Sequence, residues 1–202
     1  MAALSSVWCR WHTRLHTDCA GSNPFWRIAV LVWMLYLAVR YLLTPEHMSV
    51  ISWISVALHE AGHFITGVCL PLPVVVAAGT LFQWAAPLAV AAHFVRQRDW
   101  FAVSLSGVWL AISLYLSAPY IADARAQALP MARPFGIDVD IHDWDYMLGG
   151  LGLLRWDATL ARAVALAAFV VMWTSILGGS YIVVLMLRSW WRQRVGTGQR
   201  ES

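Results

Sequence analysis

The residues best suited to chemistry in this chain lie at 57–64, "ALHEAGHF". His59, Glu60 and His63 form an H-E-x-x-H pattern. On a helix, positions i and i+4 share a face, so both imidazoles can aim at one ion. Glu60 lies one position further round and can reach a water held by that ion. Zinc lowers the pKa of a bound water to about 7, and a neighbouring carboxylate can then act as its general base. The pattern therefore supplies two ligands and a base within one short stretch. Chance also makes such patterns, but the setting argues against it. The chain holds only three Glu and seven His, and this group sits in an apolar run. Ionisable groups at membrane depth are costly and mark functional sites by default.

A catalytic zinc needs a third protein ligand and an open position. His12, His16, His47, His93 and Asp123 are scattered candidates. The segment "DVDIHDWDY" is denser, with Asp138, Asp140, His142, Asp143 and Asp145. Asp143 is the first choice there and His142 the second. Whichever does not bind the ion is expected to orient a ligand. Asp138 and Asp140 read as solvated loop or helix-capping residues. Gln83 is the one strongly polar uncharged side chain in its apolar block. It either holds a substrate backbone or oxyanion, or bonds between helices. Ser106, Ser113, Ser117 and Tyr120 form a stripe that reads as packing. Asp123 and Arg125 are expected to pair with each other or with the loop that follows.

These residues need elements to position them, and composition says which kind. Of 202 residues, 60% are hydrophobic and 12% charged. Soluble domains run nearer half apolar and a quarter charged. The expected fold is an all-α polytopic membrane protein with about five transmembrane helices. Apolar blocks at roughly 26–43, 48–70, 74–95, 100–121 and 158–187 are each long enough for a span of about 20 residues. Residues 1–25 read as an interfacial segment, 26–187 as a single transmembrane domain and 188–202 as a basic tail. A polar loop occupies 122–157, and within it 144–154 reads as a short half-helix. Pro71 and Pro73 predict an extended segment near 71–80.

On the motif-bearing block, Ser52, Ser55, His59, His63 and Thr66 recur at spacings of three and four. They form a polar stripe expected to face the interior, with Gly62 and Gly67 permitting close approach. All 14 basic residues are Arg, and they lie mostly between blocks and at the two ends. Both basic ends favour the cytoplasm, but five full spans would part them. The "LPLPVVVAAG" region is the suspected incomplete crossing. The net charge of +3 is too small to suggest a nucleic-acid partner. Cys9, Cys19 and Cys69 show no pairing pattern. Arg-only, Ala- and Trp-rich composition points to a GC-rich bacterial genome and hence to an inner membrane.

A membrane helix carrying "HEAGH", followed by a Pro-containing link and an irregular apolar segment, resembles the site-2 protease family of intramembrane zinc metalloproteases. In that family two motif histidines and a distant aspartate bind zinc, and the motif glutamate is the base. The resemblance implies Zn2+ as cofactor, His59 and His63 as ligands and Glu60 as general base on a zinc-bound water. The aspartate corresponds to Asp143 by role. The family's Leu-Asp-Gly motif is absent here, and there is no room for a PDZ domain. The likeness therefore covers mainly residues 50–95. The expected function is hydrolysis of peptide bonds in or near the bilayer, on a transmembrane or membrane-proximal peptide. A membrane zinc hydrolase of a lipid or small amide, and a non-catalytic metal-binding scaffold, are the alternatives.

Overall fold

The computed structural model describes residues 15, 17–19, 23–44, 46–129 and 141–198. Among them there is no β-strand. Helix α1 spans Phe25–Leu43, α2 Val50–Gly67, α3 Leu72–Gln97, α4 Trp100–Ala122, α5 Asp143–Gly150 and α6 Asp157–Gly198. A 3-10 turn, Leu154–Trp156, precedes α6. The five long helices follow the five apolar blocks closely.

Local chemistry sets the helix ends. A reciprocal capping box of Ser49 and Ser52 starts α2. Asp99 caps α4 by accepting from the Ala102 amide. Between α3 and α4 the chain reverses at Arg98, which adopts φ 58. The extended segment expected near 71–80 is absent. Only Pro71 is extended, as the cap of α3, and the helix runs from Leu72. Pro73 falls in the first turn, where its missing N–H leaves no bond unmade. The half-helix is also shorter than expected. After Gly150 the chain turns through Gly152 at φ 68, where Leu153 N–H bonds to the Leu148 carbonyl. That left-handed C-terminal turn is one that glycine adopts without steric cost.

Four segments are long and apolar enough to cross a membrane: Phe25–Leu43, Leu72–Gln97, Trp100–Ala122 and Leu154–Arg194. The motif-bearing α2 is not among them, because its polar stripe lowers its apolarity. The suspected incomplete crossing, "LPLPVVVAAG", falls at the start of α3, which is long and apolar enough to cross. Large apolar side chains point outward on α1, α2, α3 and α6, for example Val32, Phe64, Leu81, Leu166 and Leu177, while the central α4 exposes none. Such a continuous apolar exterior suits hydrocarbon rather than water.

Contacts fix the sense of each helix. Arg27 pairs with Asp99 at 3.3 Å and Trp26 packs on Phe101, so α1 and α4 start together. Tyr41, near the end of α1, stacks on Tyr115 of α4. These two helices are therefore parallel. Helix α3 is antiparallel to α4, because only Arg98 and Asp99 separate them, and the pair is bonded through Gln83 to Ser113 and Trp84 to Ser117. Helix α2 is antiparallel to α3, since His59 meets Gln83 and His63 meets Val75. It follows that α2 runs in the same sense as α1, and it starts beside the last turns of α1, where Tyr41 bonds Ser49 and Ser52. Helix α6 opposes α4: Arg125 binds Asp157 at one end, and Trp190 meets Phe25 at the other.

Helix α4 divides the molecule. On one side an apolar core joins α1, α4 and α6 through Met34, Leu37, Val108, Ile112, Met172 and Leu185. Leu15 and Cys19 of the N-terminal segment are buried against this core. On the other side, the serine stripe of α4 faces α2 and α3. Ser113 bonds Ser55 at 3.0 Å, and Ser117 accepts from Trp84 at 3.0 Å. As expected, Ser52, Ser55 and Thr66 are buried.

Candidate metal centre

Two elements bring three ligand-type groups to the polar layer. His59 and His63 project from α2, and Asp143 opens α5. His59 Nε2 lies 2.9 Å from Asp143 Oδ2, His63 Nε2 lies 3.1 Å from it, and the two Nε2 atoms are 3.0 Å apart. Among the described residues this is the one group of three or more His, Cys, Asp or Glu with converging ligand atoms.

The outer ring nitrogens define the tautomers. Gln83 donates its amide to the Ser113 carbonyl at 3.0 Å, so its Oε1, 3.1 Å from His59 Nδ1, is an acceptor. The Val75 carbonyl, 2.9 Å from His63 Nδ1, can only accept. Both Nδ1 atoms therefore carry protons, and neutral imidazoles present two Nε2 lone pairs to each other and to a carboxylate oxygen. Three acceptors within about 3 Å call for a cation between them. The spacing fits zinc: tetrahedral bonds of about 2.0–2.1 Å keep ligand atoms roughly 3.3 Å apart.

Backbone proximity shapes the same space. A Cβ on Gly62 would stand 2.5 Å from the Ala78 carbonyl oxygen, so α2 and α3 touch main chain to main chain. A Cβ on Gly79 would collide with His63 Nε2 and stand 2.7 Å from His59 Nε2. Gly79 keeps the volume between the imidazoles clear. Sequence reasoning passed over this residue, because its value depends on facing two side chains of another helix. "AAGT" following the motif was the available signal.

Asp143 is held by its surroundings. His142 caps α5, its Nδ1 accepting from the Asp145 amide at 3.2 Å. The His142 ring lies on Tyr120 at 4.3 Å, and the Tyr120 hydroxyl accepts from the Asp143 amide at 3.3 Å. Burial pushes the Asp143 carboxyl upward, but where a proton rather than an ion lies between these groups, hydrogen bonds from His59 and His63 outweigh it and hold the carboxyl below its ordinary range. Glu60 is half-buried and close enough for its charge to act on His63 and Tyr120.

The other expectations divide. His142, the second choice as ligand, is outside the trio. Its Nδ1 is committed to the cap and its Nε2 faces Asp123 at 3.6 Å. Gln83 orients His59 instead of facing an open cavity. Asp123 accepts from the Ala128 and Leu129 amides of the loop, while Arg125 turns away to Asp157. His47 bonds Arg40 and His93 bonds Gln97, both away from the trio. His12, His16, Asp138 and Asp140 lie outside the described residues.

The fold and site define a helical protein with four segments able to cross a membrane and a His-His-Asp group able to hold a metal. Comparison with protein-family models, curated proteins and solved structures returned no match.

Proposed function

We propose that this chain is a membrane-embedded zinc metalloprotease that hydrolyses peptide bonds in or near the bilayer. The observation that carries this reading is the convergence of His59 Nε2, His63 Nε2 and Asp143 Oδ2 beside Glu60 on an otherwise apolar helix. Zinc held there supplies Lewis acidity, which polarises a scissile carbonyl and acidifies water. Glu60 takes the proton from the attacking water and passes it to the leaving amine. Gln83 and Val75 keep the imidazoles turned inward, and Tyr120 with His142 keeps Asp143 in place. The apolar exterior supports a membrane location, and a bacterial inner membrane fits the composition.

Glu60→Gln tests the mechanism. The variant is expected to keep its metal and to lose about 10²–10⁴-fold in cleavage of a transmembrane peptide. Full activity in that variant refutes the role. Turnover of a lipid or small amide but of no peptide moves the assignment to another zinc hydrolase. A wild-type protein that binds no zinc, whether or not His59 is replaced by Ala, overturns the metal centre itself.

A further inference from the structure

Helix direction and arginine placement together orient the molecule. Because α1 and α2 run in one sense, the chain crosses through α1, α3, α4 and α6, an even number. The start of α1 and the end of α6 accordingly lie at the same end of the bundle, where Phe25 meets Trp190 at 5.3 Å and Arg27 reaches Met186 at 3.5 Å. The α3–α4 turn is there too, with Arg98 3.8 Å from Asp18. The conflict between five spans and two basic ends disappears.

Arginines are unequal between the ends. Arg27, Arg96, Arg98, Arg188, Arg192 and Arg194 lie at the end where α1 starts. In sequence, Arg10 and Arg14 precede α1 and Arg200 follows α6. The opposite end has Arg40, Arg125, Arg155 and Arg162, and Arg133 falls in the connection from α4 to α5. Among the described residues six of ten arginines lie at one end, and of the four outside them three adjoin that end's helices in sequence. All the connections are short, the regime in which Lys and Arg bias sets orientation.

The candidate metal centre belongs to the other side. Tyr120 is in the last turn of α4, and Val75 and Gly79 are in the first turns of α3. Asp143 arrives on the connection from α4 to α6, which leaves and re-enters the bundle at that end. We propose that the arginine-rich end faces the cytoplasm and that the His59–His63–Asp143 group is served from the extracytoplasmic face. Its substrates are then polypeptide segments at the outer leaflet or just beyond it. Orientation rests on the membrane reading, and the substrate side rests in addition on the protease reading.

The test uses the full chain in a bacterial host. Fused at the C-terminus, a fluorescent protein active only in the cytoplasm is expected to fluoresce, and an alkaline phosphatase active only outside is expected to stay silent. In a Cys9→Ser, Cys19→Ser background, the exposed Cys69 after α2 is expected to react with a membrane-impermeant maleimide in intact cells. Leu151→Cys, exposed at the same end, is a second probe. An active phosphatase fusion, or labelling of either cysteine only after permeabilisation, overturns the orientation. None of these readouts involves metal or turnover. A failed Glu60→Gln test therefore leaves the orientation standing, and a reversed orientation leaves the metal centre standing.

Discussion

Gly79→Ala is the smallest change that should empty the metal centre. The added methyl would stand 2.6 Å from His63 Cε1 and 2.7 Å from His59 Nε2. Ordinary contact between such atoms is about 3.5 Å, so the overlap approaches 1 Å. Helix α3 cannot retreat without pulling Val75 and Gln83 off the two Nδ1 atoms they hold. The imidazoles must yield instead, by several times the roughly 0.2 Å that metal bonds tolerate. Loss of an orienting partner alone weakens metal binding about 10–100-fold. Displacing two ligands should cost at least the upper figure, about 2.8 kcal/mol at 1.4 kcal/mol per tenfold. The fold should survive. Overpacking costs about 1–3 kcal/mol, and the better helix propensity of Ala returns up to about 1 kcal/mol. Cobalt titration followed by its visible absorption, alongside thermal unfolding, reads both quantities. Gly149→Ala is the control, since a Cβ there meets nothing within 4 Å. A Gly79→Ala protein that binds metal within threefold of wild type would refute the account of this cradle.

Gln83→Leu should lower metal affinity about 10–100-fold by freeing the His59 ring, with little effect on the Ser113 carbonyl, which Ser117 also serves. His142→Ala should cost about 1 kcal/mol of stability through the lost cap and should weaken metal binding while His59 and His63 stay in place. Calorimetric unfolding with and without metal separates those two effects. Metal affinity should fall as pH drops, because protons compete with the ion for the two imidazoles. Asp143 should not contribute to that loss. Its carboxyl is depressed, so its ionised form is fully present above the ordinary carboxylate range and is lost only below it. A midpoint near pH 4 in a metal-binding titration would contradict this. Arg125→Gln should lower Tm, because it leaves the buried Asp157 carboxylate without its partner at 2.6 and 2.7 Å.

The extent of the helices was legible because lipid-facing segments are apolar all round, and block ends coincide with caps or prolines. His59 and His63 were legible because a metal ligand pair has a fixed helical spacing. Asp143 was harder. Three carboxylates and a histidine lie within a few residues of it, and only the cap geometry of α5 decides which one turns inward. Gly79 and Gln83 act across a helix pair, and no local pattern encodes that. Pro71 and Pro73 misled because proline breaks a helix interior but is welcome in its first turn. The parallel course of α1 and α2 was invisible, since a six-residue link reads as an ordinary reversal. It emerges only when both helices are tied to α4.

Helix α2 is thus an inlay among four helices long and apolar enough to cross a membrane. It lacks the apolarity of its neighbours, so it is poorly suited to enter hydrocarbon unaided and depends on docking against α3 and α4. Its glycine and serine contacts hold it there from two sides. Tyr41 of α1 ties its start, and His59 and His63 meet Asp143 on a helix of eight residues. A ligand that binds the assembled state alone adds about 4 kcal/mol at a thousandfold excess over its Kd. Metal loading would in this way act as the closing step of assembly, and chains still waiting for the ion would be the ones most open to degradation.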